Sequence, residues 1–127
     1  MRESKAEPIK RIVKLVDVVN RCSQVLIAAY EARAESAFQQ FVQKMQKKME
    51  QFGFELQTEL GRLGGEEAPA SAQELNTNPK TALEGVLDHY GQALSTSLPA
   101  HARAMLTRQS VEMQKAYEEF ISLDRAA

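Results

Sequence analysis

Apolar residues recur at steps of three and four along four stretches of the chain, the spacing that places side chains on one face of an α-helix. These stretches predict helices near residues 8–32, 35–63, 79–95 and 98–124. The alternation of apolar and polar residues that would indicate strands is missing. The pattern therefore predicts an all-α protein.

Two segments carry signals for helix ends. Gly64 or Gly65 is expected to close the second helix, because glycine adopts the left-handed conformation that ends helices. Thr77 or Asn78 is the expected cap of the third helix, with Pro79 in its first turn. Residues 64–78, rich in Gly, Pro, Ser, Asn and Glu, predict a surface crossover between these helices.

The junction of the first two helices, residues 32–36, contains neither glycine nor proline. It could continue as one helix of more than fifty residues, which would need a swapped or extended dimer to bury its apolar stripe. We predict a short turn instead. Two helical pairs joined by one crossover make a single domain, residues 1–127, that folds as an antiparallel four-helix bundle.

The bundle core is predicted from residues that share single helical faces. Their three and four residue spacing is clearest in the second and fourth helices. The predicted core residues are Phe41, Met45, Phe52, Leu56, Leu106, Met113 and Phe120.

Charge is unevenly distributed along a chain whose formal net charge is −1. Residues 1–48 hold ten Lys and Arg against five Asp and Glu, whereas residues 49–127 hold six against twelve. The basic half can pack against acidic helices of the same bundle, or it can attract phosphate, an anionic membrane surface or an acidic partner. Lys44, Lys47 and Lys48 adjoin Glu50 in an acidic protein, so nucleic-acid binding is not predicted.

Cys22 is the only cysteine, which excludes an intrachain disulfide. Its helical neighbours include Val18, Val19 and Leu26, so we expect an inert apolar filler rather than a nucleophile. The longest apolar run, residues 25–30, is too short to span a bilayer, and charges interrupt any signal-peptide core. We therefore predict a cytoplasmic protein with no membrane span.

Four-helix bundles can hold di-iron centres built from Glu and Glu-x-x-His pairs. The sequence contains no Glu-x-x-His, so we predict no catalytic residue, no cofactor and no bound metal. The alternative is an iron- or manganese-binding oxidase that relies mainly on carboxylates. Its ligands would be Glu31, Glu55, Asp88, His89 and Glu112.

Gln109 lies within the heptad pattern of the fourth helix, where a buried amide must find a partner and often fixes helix alignment. From this position we predict an interhelical contact and a homodimer.

Two stretches, ELQTELGRLGGE at 55–66 and LSTSLPAHARAMLTRQSVEMQKAYEEF at 94–120, resemble a small bacterial ferritin-like four-helix-bundle family of unknown function, associated with stress responses. The resemblance implies ferritin-like topology. Glu31 and Glu55 match acidic positions of that family. Its acidic stretch in the first helix is replaced here by residues 21–23 and its Glu-rich start of the third helix by residues 78–81, which implies that most of any family site is lost.

These observations favour a noncatalytic bundle that is stress-associated or forms assemblies through protein contacts. Two alternatives remain open. One is the carboxylate-bridged metal protein, and the other is a helical adaptor whose basic face binds an acidic partner.

Overall fold

The computed structural model describes residues 6–66 and 78–126. Within them the helices are α1 (Ala6–Ala32), α2 (Ser36–Arg62), α3 (Pro79–Leu94) and α4 (Ala100–Ala126), and these residues contain no strand. Each helix begins and ends within two residues of its predicted position, and the all-α four-helix fold is confirmed. No helix among the described residues has the length and apolar character needed to cross a membrane. Residues 67–77 of the predicted crossover lie outside the described residues.

The helices follow the order α1, α2, α4, α3 around the bundle. Each neighbouring pair is antiparallel, so α2 and α3 lie diagonally opposite and run in the same direction. A four-helix bundle with one long crossover has such a connection; the ferritin-like assignment itself stays a prediction. The hydrogen-bonded pairs that set these directions include Ser23–Gln46, Tyr30–Gln43, Arg11–Gln92, Tyr90–Gln109, Glu84–Tyr117, Lys44–Glu119 and Arg108–Glu55.

The chain turns at residues 33–35, so the continuous helix does not form. Arg33 holds this turn, because its guanidinium lies 4.1 Å from the centroid of the Phe38 ring and 3.4 Å from carboxylate oxygens of Glu35 and Asp124. Gln39 Nε2 also donates to the carbonyl of Arg33 at 3.1 Å. Side chains from both sides of the turn thus replace the glycine or proline that commonly marks one.

Asn78 caps α3, as predicted. Its side-chain oxygen accepts a hydrogen bond from the backbone N–H of Thr81 at 2.8 Å, and Pro79 follows in the first turn. The alternative cap, Thr77, lies outside the described residues.

Gly64 ends α2 in the left-handed conformation, with φ of +84°. Gly65 N–H then donates to the carbonyl of Leu60 at 2.8 Å. A side chain at Gly65 would have its Cβ 3.2 Å from Cγ2 of Ile9. The end of α2 therefore lies against the beginning of α1.

The predicted core is confirmed, since all seven residues named above are buried. At one end of the bundle the rings of Phe38, Phe41 and Phe120 lie 6.1–6.3 Å apart between centroids, within the range of favourable aromatic pairs. These contacts join α2 to α4 next to the turn that Arg33 holds.

We predict that Phe52→Ala lowers the free energy of unfolding by about 3–5 kcal/mol, because it leaves a cavity in the core. Ile27→Ala is the matched control, and its loss should stay within about 0.5 kcal/mol because Ile27 is 44% exposed. Urea unfolding followed by circular dichroism measures both. A loss below about 1 kcal/mol for Phe52→Ala would contradict the assigned core.

Candidate functional site

The residues named for the metal-binding alternative lie in separate parts of the bundle. Glu31 is exposed in the last turn of α1, next to Tyr30, which hydrogen-bonds to Gln43 near the start of α2. Glu55 lies twelve residues farther along α2 than Gln43, a rise of about 18 Å. These two carboxylates, which the resemblance paired, are thus far apart along the bundle.

Asp88 and His89 lie on α3. Asp88 is exposed and accepts a hydrogen bond from Gln92 at 2.8 Å. His89 faces α1, where burial first, and then the positive charge of Lys14, lower its imidazole pKa. Arg11 adds positive charge there, so the surroundings of His89 are unfavourable for a metal cation.

Glu55 and Glu112 are the two candidates that the structure brings near each other, and Arg108 contacts both. Its Nη2 lies 2.6 Å from Glu55 Oε2 and its Nη1 lies 3.7 Å from Glu112 Oε2. The positive charge of Arg108 therefore occupies the position between the two carboxylates that a metal ion would need. Across residues 6–66 and 78–126 no three His, Cys, Asp or Glu side chains form a group that could hold a metal ion.

A chain of hydrogen bonds crosses the bundle core instead. Tyr90 Oη on α3 donates to Gln109 Oε1 on α4 at 2.6 Å, and Gln109 Nε2 donates to Glu55 Oε1 on α2 at 2.9 Å. Tyr90 and Gln109 are fully buried. Burial, followed by the charge of Glu55, raises the pKa of Tyr90, so its hydroxyl keeps the proton that it donates. These two hydrogen bonds therefore align α2, α3 and α4.

Gln109 thus makes an interhelical contact, as predicted, but the contact is inside one chain. Its amide is satisfied by Tyr90 and Glu55 and does not reach the surface. Gln109 therefore does not support a homodimer, and a dimer interface would have to involve another surface.

A second polar group joins α2 to α4 closer to the start of α4. Glu59 is buried, with 4% of its side chain exposed, and its Oε1 lies 2.7 Å from His101 Nδ1. With Nδ1 donating, Nε2 is the acceptor for Arg62 Nη1, which lies 2.7 Å away. Arg62 occupies the nitrogen that a general base would use, so this His–carboxylate pair compensates a buried charge rather than activating a nucleophile.

Cys22 is buried in the core, as expected of an apolar filler. Loss of hydration raises the pKa of its thiol to about 12. The thiol is therefore protonated at neutral pH and is not a nucleophile.

A groove of about 860 Å³ with cationic side chains on both walls lies between α2 and α4, and we call it the basic groove. Phe52 lies at its floor, and the side chain of Val111 on α4 remains 50% exposed. The groove extends along α2 from Gln40 to Gln51, a rise of about 16 Å. Its cations are Lys44, Lys47 and Lys48 from α2 and Arg108 and Lys115 from α4.

Carboxylates offset part of this charge. Lys44 Nζ lies 2.5 Å from Glu119 Oε2, and Lys48 Nζ lies 3.7 Å from Glu112 Oε1. Arg108 is paired with Glu55 and Glu112. Lys47 has no ion-pair partner among the residues of the four helices. The groove consequently keeps a net positive charge in a protein that is slightly acidic as a whole.

Sequence reasoning named the lysines of α2 but missed Arg108, Val111 and Lys115. Their spacing of three and four residues on α4 is a usable signal for one exposed face. It could not be joined to the lysines without knowing that α2 and α4 are neighbours.

Comparison of the chain with protein-family models, curated proteins and solved structures gave no match. The ferritin-like family membership implied by the two sequence stretches therefore stays a prediction.

We predict that Tyr90→Phe lowers the free energy of unfolding by about 1–3 kcal/mol, because Gln109 Oε1 loses its donor inside the core. Tyr117→Phe is the control, since it removes the hydrogen bond from Tyr117 Oη to the exposed carboxylate of Glu84. The control should change stability by less than about 0.5 kcal/mol. Urea unfolding measures both variants. Equal losses of unfolding free energy would contradict the stabilising role of the buried hydrogen bonds.

Proposed function

We propose that this chain is a noncatalytic helical bundle that binds another protein, and that the basic groove is its docking site for an acidic, amphipathic helical segment. The observation that carries the proposal is the convergence of five cations from α2 and α4 on a groove that also exposes Val111. Charge and apolar surface together match a helix with one acidic and one apolar face.

The groove dimensions support a helical occupant. Its length of about 16 Å accommodates roughly three helical turns. A helix lying between α2 and α4 would place apolar residues on Val111 and acidic residues beside Lys47 and Lys115. Recognition of this kind uses positions spaced by three and four residues on the docked helix.

The carboxylates in the groove favour a protein segment over nucleic acid. Glu112 and Glu119 lie among the cations, where they would repel a continuous phosphate backbone. A peptide helix can place its own uncharged or basic residues beside them. The groove also has an exposed apolar side chain, which phosphate contacts would not use.

The placement of polar groups supports a noncatalytic role. Arg108 lies between Glu55 and Glu112, Arg62 is bound to His101 Nε2, and the Cys22 thiol is protonated. Arg108 and Arg62 thus engage Glu55, Glu112 and His101, three groups that could have performed chemistry. The stress association and cytoplasmic location remain predictions from the sequence.

We predict that a synthetic acidic amphipathic helix of about four turns, with Glu on one face and Leu on the other, binds the protein and binds more weakly as salt is raised. Val111→Glu with Lys115→Glu should weaken binding at least about tenfold, since it removes apolar surface and reverses a charge in the groove. Isothermal titration calorimetry measures the affinity.

The matched control is Ile27→Glu with Lys10→Glu on α1, where Ile27 is 44% exposed. It makes the same charge change outside the groove, and we expect less than about a twofold effect. Equal weakening in the two double variants would contradict the assigned site. Single-stranded DNA of equal charge binding as tightly as the peptide would contradict the assigned partner.

A further inference from the structure

The surface where α1 meets α2 combines an exposed aromatic side chain with a hollow of mixed polar and apolar lining. The hollow has a volume of about 850 Å³, and Val16, Val19 and Met49 contribute to its apolar lining. Phe54 also lines it, with 74% of the residue exposed. An exposed aromatic ring beside a hollow of mixed polarity is a feature that protein interaction surfaces share.

Two glycines of α2 keep the hollow open. A Cβ at Gly53 or Gly61 would meet no atom within 4 Å, so packing inside the chain does not require glycine at either position. Glycine in a helix interior lowers stability relative to most other residues. Their presence along the hollow is explained if another chain approaches the backbone of α2 closely.

An unsatisfied amide supports the same conclusion. Asn20 lines the hollow, and its Nδ2 is buried without a hydrogen-bond partner among the residues that the structure describes. Buried donors without acceptors are rare in native proteins. Nδ2 is closed to solvent, so an occupant of the hollow would reach it only when the Asn20 side chain turns outward.

The charges along the outer side of α2 point to a particular occupant. Glu50 and Arg62 have opposite charges and lie on either side of Phe54 along the helix. Suppose that α2 of a second copy packs antiparallel against this α2, with the two helices crossing near Leu56. Glu50 of each copy then lies close to Arg62 of the other copy. The charge pattern is therefore complementary to itself.

We propose that this face binds a second copy of the chain in a two-fold dimer, with Phe54 of each copy inserted beside Gly61 of the other. In this register Phe54 lies opposite residue 58 of the second copy, one helical turn from its Gly61. The ring and the hollow occur on the same surface, as an isologous interface requires. The interface uses neither Gln109 nor any residue that lines the basic groove, so it does not depend on the proposed function.

The test uses Gly61→Gln and Phe54→Ser in sedimentation equilibrium over about 1–500 μM protein. We expect the wild-type chain to form a dimer, and each substitution to raise the dimer dissociation constant by about tenfold or more. Gly61→Gln fills part of the hollow, and glutamine has a higher helix propensity than glycine. The melting temperature of this variant in dilute solution should therefore be no lower than that of the wild type.

Gly91→Gln is the matched control. Gly91 is also helical, and a Cβ at this position would meet no atom within 4 Å. It lies on α3, away from the hollow. It should change the dissociation constant by less than about twofold. A wild-type chain that stays monomeric up to about 500 μM would overturn the proposal. A dimer that neither Gly61→Gln nor Phe54→Ser weakens would also overturn it.

Discussion

Gln109 is an uncharged amide in the centre of the bundle, and each buried donor or acceptor left without a partner costs about 1–3 kcal/mol. It is satisfied only if Tyr90 on α3 and Glu55 on α2 meet it at the same level of α4. Sliding any of these helices by one turn, about 5.4 Å, would break the chain of hydrogen bonds. Apolar contacts tolerate several registers of one helix against another, whereas these hydrogen bonds favour a single register.

The arrangement of the surface follows from that alignment. With α2 and α4 in register, Arg108 contacts Glu55, His101 contacts Glu59, and Lys44 contacts Glu119. These contacts engage Glu55, a candidate metal ligand, and His101, which could otherwise have acted as a base. They also bring cations from two helices together as the basic groove. The surface left for binding therefore depends on how the core polar groups are satisfied.

The sequence was sufficient for what depends on local periodicity. Apolar spacing predicted the helices and core residues such as Phe52, and Asn78 and Gly64 were recognised because their effects on helix ends are local. The turn at residues 33–35 was harder, because Arg33 holds it through Phe38 and Asp124, which lie in other helices. The basic groove could not be predicted, since Lys47 and Lys115 become neighbours only through the packing of α2 on α4. For the same reason a buried Gln109 was recognised but its partners were not.

A double-mutant cycle between Tyr90 and Gln109 tests the claim that the buried hydrogen-bond chain aligns the helices. The measurement is the free energy of unfolding of Tyr90→Phe, Gln109→Leu and the double variant. Each single change leaves a buried polar group without its partner, whereas the double change removes both members of the pair. We therefore expect the double variant to be less destabilised than the sum of the single variants by about 1 kcal/mol or more. Effects that add to within about 0.3 kcal/mol would show that the two side chains do not act together, and would contradict this account.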